Sequence, residues 1–113
     1  MLHDLQLALC QQNGVQPQLP DPSHTCGWSP TASRGAVPIH GLRHPPRGAT
    51  CGWFIWGGEH LSDAADFFQP LCVEHLAQVC PEAERFLALP PGWRFLLAPG
   101  QQDVWFDPAL LDV

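Results

Sequence analysis

The sequence predicts an α+β domain: a small antiparallel sheet of three to five strands, short helices packed mainly on one side, and many loops. Three observations lead there. Residues 50–56 are apolar at both alternating sets of positions, as a central strand must be. Residues 93–98 and 103–106 are two strand-like runs separated by Pro99-Gly100-Gln101-Gln102, which is a hairpin pattern. Residues 2–13 and 71–79 carry apolar side chains at helical spacing.

Taken in order, Leu2, Leu5 and Leu9 form the apolar stripe of a first helix over residues 2–13, with Gly14 placed to end it in a left-handed cap. Pro17, Pro20 and Pro22 deny regular hydrogen bonding to residues 15–22, a connector. Thr25–Trp28 reads as a short strand. Residues 29–46 show little apolar periodicity and read as an ordered loop anchored by Ile39 and Leu42. In the strand at 50–56, Cys51, Trp53 and Ile55 point one way and Gly52, Phe54 and Trp56 the other.

Gly57-Gly58 ends that strand, and Ser62 or Asp63 can cap a turn that includes Asp66. Cys72, Leu76, Val79 and Cys80 then make a buried stripe on a helix over 71–79. Pro81 opens a second short helix, which Pro90-Pro91-Gly92 stops. After the hairpin, Asp107-Pro108 begins a last helical turn. Trp53, Trp93 and Trp105 read as core aromatics, whereas Trp28 and Trp56, at strand ends, read as exposed anchors.

At 113 residues the chain fits one domain, residues 1–113, which buries roughly two-thirds of the surface its unfolded chain would expose. Five Trp and six Phe furnish a core, and thirteen Pro and ten Gly require irregular connections. Five cysteines without a regular framework suit a reducing compartment, and no run reaches the length of a membrane span, so a cytoplasmic protein that does not enter membranes is expected.

The charge is more telling. The chain has a net charge of -6 and no lysine. Nine of the eleven acids fall in residues 51–113, against only Arg85 and Arg94 there. Such a chain has no phosphate-binding stripe, which argues against direct nucleic-acid binding, and its acidic face suits a basic partner.

No catalytic constellation emerges. Cys72, His75 and Cys80 could in principle hold zinc, but no Cys-x-x-Cys pair is present and the helical stripe places the cysteines in the core. Cys51 begins an apolar strand without a cationic neighbour to make it a nucleophile. Glu59, Asp63 and Asp66 form a short acidic run of the kind that faces solvent or a partner. Neither enzymatic activity, a cofactor nor a metal is expected.

Five sequence words carry a resemblance: Gly41-Leu42-Arg43-His44-Pro45-Pro46, Cys51-Gly52-Trp53-Phe54-Ile55-Trp56-Gly57-Gly58-Glu59, Asp66-Phe67-Phe68-Gln69-Pro70-Leu71, Leu89-Pro90-Pro91-Gly92-Trp93-Arg94-Phe95-Leu96 and Asp103-Val104-Trp105-Phe106-Asp107. They cover most of residues 38–113, leaving 1–37 as an N-terminal helix and connector, and in this order they resemble the immunity-33-like proteins of bacterial polymorphic toxin systems. The resemblance implies an immunity protein that binds a cognate toxin domain, a basic one on the charge argument, and occludes its active site. Glu59, Asp63, Asp66, Asp103, Asp107, Trp28 and Trp56 are the candidate partner-binding residues. The alternative is a small carbohydrate- or peptide-binding module with Trp28 and Trp56 as its platform.

Overall fold

The computed structural model describes residues 2–32, 37–58, 64 and 66–112. Helix α1 (Leu2–Gln12) precedes strands β1 (Thr25–Trp28), β2 (Ile39–Arg43), β3 (Thr50–Gly57) and β4 (Gln69–Cys72). A single helical turn, α2 (Leu76–Val79), leads to β5 (Trp93–Ala98) and β6 (Gln101–Phe106), and 3-10 turns lie at Pro30–Ala32, Val73–His75, Pro81–Phe86 and Pro108–Leu111. The sheet is six-stranded in the order β4-β1-β3-β2-β5-β6.

It differs from the expected sheet in size and in sense. It has six strands rather than three to five, and it is mixed, because β1 runs parallel to β3 while the other neighbours are antiparallel. Parallel neighbours need a crossover, and here the crossover contains β2 itself. That strand lies within residues 29–46, expected as loop. Its inward positions are Ile39, Gly41 and Arg43, so glycine and arginine hide the alternation that would have marked it. Gly41 is small because the Phe95 ring occupies the space a Cβ would need. Likewise, Leu71 and Cys72 belong to β4 rather than to a helix over 71–79. The helical stripe reduces to Leu76 and Cys80, both buried, with Val79 exposed.

Helix α1 ends at a left-handed Gly14, as its sequence implies, but its buried face is turned. Gln6, Leu9 and Cys10 point inward and Leu5 is exposed. Gln6 can be buried because its amide donates to the Glu84 carbonyl at 2.8 Å.

The core lies on the sheet face that bears Cys51, Trp53, Ile55 and Phe95, and it is covered by α1, α2 and residues 81–89. Phe86 stacks on Phe95 with centroids 4.1 Å apart, and Trp53 donates its indole N–H to the Leu87 carbonyl at 3.1 Å. In this core sits a cation with no carboxylate partner among the described residues. Arg43 is 1% exposed, and its guanidinium donates to the carbonyls of Gln18 (2.6 Å), Leu89 (2.8 Å), Cys51 (3.1 Å) and Leu87 (3.3 Å). It thereby ties the N-terminal connector and the 81–89 segment to the sheet. Burial lowers its pKa from the usual arginine range.

The tryptophans sort differently from the sequence reading. Trp53 is fully buried as expected, but Trp28 and Trp56, expected as exposed anchors, are only 7% and 4% exposed, whereas Trp105, expected in the core, is 39% exposed. The reason is strand position. Trp28 and Trp56 lie on β1 and β3, deep in the sheet, and Trp105 lies on the edge strand β6.

Candidate functional site

The other face of the sheet carries no α-helix among the described residues. Strand register brings its side chains into two cross-strand rows, since directly paired residues share a face. One row runs Pro70, Gly27, Phe54, Leu42, Arg94, Trp105 from β4 to β6, and the next runs Trp56, His40, Leu96, Asp103 from β3 to β6. Aromatic contacts dominate the β3 end. Phe68, from the turn before β4, packs edge-on against Phe54 (5.2 Å) and Trp56 (5.9 Å), His40 stacks on Trp56 (4.9 Å), and His44 meets Phe54 edge-on (5.6 Å). Gly27 leaves room for the Phe54 ring.

The face is ridged rather than flat. Two shallow apolar concavities of about 240 and 210 Å³ flank Phe54, sharing His44 as a wall, and a third of about 210 Å³ opens between Phe68 and Pro70. A larger concavity of about 420 Å³ lies elsewhere, between α1 and residues 15–17. Its polar groups, Asp4, Gln11 and Gln16, belong to a helix and its own connector, so that site lacks the convergence from separate elements that marks a binding pocket.

Toward β6 the character changes from aromatic to charged. Arg94 lies over the Trp105 ring at 5.5 Å and pairs with Asp107 at 3.2 Å, while the other oxygen of Asp107 accepts from the Ala109 N–H and caps the final turn. The Arg94 Nε is buried without a hydrogen-bond partner among the described residues. His40 has its pKa lowered, first by burial and then by Arg94, against the raising effect of its 3.0 Å contact with the Gly58 carbonyl. His44 contacts the Leu110 carbonyl through Nδ1 at 2.9 Å, which docks the C-terminal turn at the side of the face.

The expected binding residues distribute unevenly over this surface. Glu59 and Asp63 lie outside the described residues. Asp66 is exposed beside the Phe67-Phe68 pair, and Asp103 is exposed on β6, where the Gln101 amide donates to it at 2.8 Å. Asp107 is half-buried and already engaged by Arg94 and by the cap it makes. Trp56 is on the open face but beneath His40 and Phe68, and Trp28 is on the core face. Sequence reasoning did not count Arg94, Trp105, Phe54, His40 or Leu42 among the binding residues of this face. The hairpin pattern contained Trp105 and Phe106, but nothing in it said that β6 would be an edge.

The chain has five cysteines. All five are free thiols, and burial pushes Cys26 and Cys80 up to about 12 and raises Cys10 and Cys51 as well, so none of these four is a thiolate at neutral pH. Among the described residues no three His, Cys, Asp or Glu side chains converge as metal ligands, and no helix is long and apolar enough to cross a membrane.

Comparison with curated proteins and with solved structures yields no match. A family model does match. It is that of the Imm33-like domain, and it aligns with residues 5–107, from within α1 through Asp107, so it takes in every strand of the sheet and the N-terminal segment that the sequence words did not reach. The chain therefore belongs to the Imm33-like family.

Proposed function

We propose that this chain is an immunity protein that works in the bacterial cytoplasm, binding a cognate toxin effector domain and neutralising it by covering its active site, without chemistry of its own. The observation that carries this reading is the family match across residues 5–107. The surface agrees with it. The open sheet face presents an aromatic patch bordered by Arg94 and Asp103, with Trp105 39% exposed on β6, while Phe106, 46% exposed, lies on the opposite face of that edge beside Trp93. Exposed aromatics beside charges of both signs are the composition of interface hot spots. The net charge of -6 favours a basic toxin, whose approach it would accelerate. The carbohydrate- or peptide-binding alternative rested on Trp28 and Trp56 as a platform, and both are buried.

Co-expression tests the proposal. A cognate toxin domain should arrest growth when expressed alone and permit growth when this chain is expressed with it. Continued arrest, with the chain present in soluble form, would overturn the reading.

A further inference from the structure

The two edges of the sheet are built differently. β4 has four residues and includes Pro70, which has no N–H to offer; β6 has six and includes neither proline nor lysine. Shortness, proline and lysine are the usual protections of an edge against pairing with another chain. β6 has none of them. It also carries the exposed Trp105 and Phe106.

The phase of its hydrogen bonds follows from the hairpin. The two-residue turn Pro99-Gly100 closes Ala98 on Gln101, and at the other end the Asp107 N–H donates to the Gly92 carbonyl at 2.7 Å. Antiparallel pairs alternate between those that exchange both backbone bonds and those that exchange none. Both ends fall in the same alternate set, so Gln101, Asp103 and Trp105 direct their backbone groups to β5. Gln102, Val104 and Phe106 direct theirs outward.

We infer that this edge receives a strand of the toxin domain, which extends the sheet beyond β6; the inference rests on the toxin-binding reading above. The side chains specify the incoming strand. On the open face, Asp103 calls for a cationic residue and Trp105 for an apolar one, with backbone pairing supplying affinity and the alternate side chains specificity. A second copy of this chain is the poorer occupant. It brings no lysine and a charge of -6 of its own, and one of its antiparallel registers would set Asp103 against Asp103.

Amide hydrogen exchange on the full chain, free and bound to a catalytically inactive toxin domain, tests this directly. The Gln102, Val104 and Phe106 amides should exchange rapidly in the free chain and at least tenfold more slowly in the complex. Val104→Pro removes one outward N–H and leaves the β5 ladder intact, so it should weaken toxin binding at least tenfold; if that variant fails to fold, the wild-type exchange data decide. A complex in which those three amides exchange at their free rates would overturn the edge inference and leave toxin binding standing. Protection already present in the free chain, at the mass of a dimer, would overturn it in favour of a second copy. Absence of any complex would overturn the toxin-binding reading and this inference with it.

Discussion

Replacing Arg43 with methionine removes the guanidinium that joins three parts of the fold while keeping much of the side chain's bulk. The Leu87 carbonyl would still accept from Trp53, and the Gln18 carbonyl, on an exposed residue, can turn to water. The Leu89 carbonyl has no other donor among the described residues and is fully buried, so it is left unsatisfied, at about 1–3 kcal/mol. Loss of charge-assisted bonds to the other carbonyls adds roughly 1.5–3 kcal/mol each before compensation. Relief of the cost of burying a cation works in the opposite direction. The net loss should be roughly 2–4 kcal/mol, a large part of the ~5–15 kcal/mol stability of a domain this size, and should lower Tm by about 10–15 °C. Urea unfolding followed by tryptophan fluorescence measures it, with melting as a second probe. A midpoint equal to or above wild type would refute the argument, because it would mean that the carbonyls find other partners and that Arg43 is dispensable to the fold.

Gly41→Ala should cost roughly 1–3 kcal/mol by overpacking, since its Cβ would fall on the Phe95 ring, which the stacked Phe86 prevents from retreating; a denaturation midpoint shows the loss. Alkaline stability should fall steeply. Between pH 9 and about 12 the unfolded chain ionises Cys26 and Cys80 while the folded chain keeps them protonated, which removes about 1.4 kcal/mol per pH unit per thiol, and melting curves across pH 8–10.5 should show a shallower decline for Cys26→Ala. On the acid side His40 has a lowered pKa, so below about pH 6.5 the unfolded chain takes up a proton that the folded chain resists. Stability should therefore drop as pH falls, and less so in His40→Gln, as melting at pH 7 and pH 5 would show.

What the sequence disclosed depended on whether each residue announced its environment. In β3 every position after Thr50 is apolar, so both the strand and the inward set of Cys51, Trp53 and Ile55 were legible, and Gly14 and Asp107-Pro108 marked their turns by local chemistry alone. In β2 the inward positions are an isoleucine, a glycine chosen for the Phe95 ring and an arginine satisfied by distant carbonyls. Those identities make sense only after segments far apart in the chain have met. The same holds for the tryptophans. Alternation tells which face a side chain takes, but whether that strand is central, as for Trp56, or an edge, as for Trp105, is a property of the whole sheet order. The candidate face was therefore hidden, although its individual residues were in plain view.

The most direct test of the immunity reading is a calorimetric titration of the purified chain against a cognate toxin domain, with toxin activity followed in the same mixtures. The account predicts a saturable equimolar complex with a Kd at or below the nanomolar level, about -12 kcal/mol or stronger, and loss of toxin activity in step with occupancy. Absence of binding at micromolar concentrations, or a bound toxin that keeps its full activity, would contradict it.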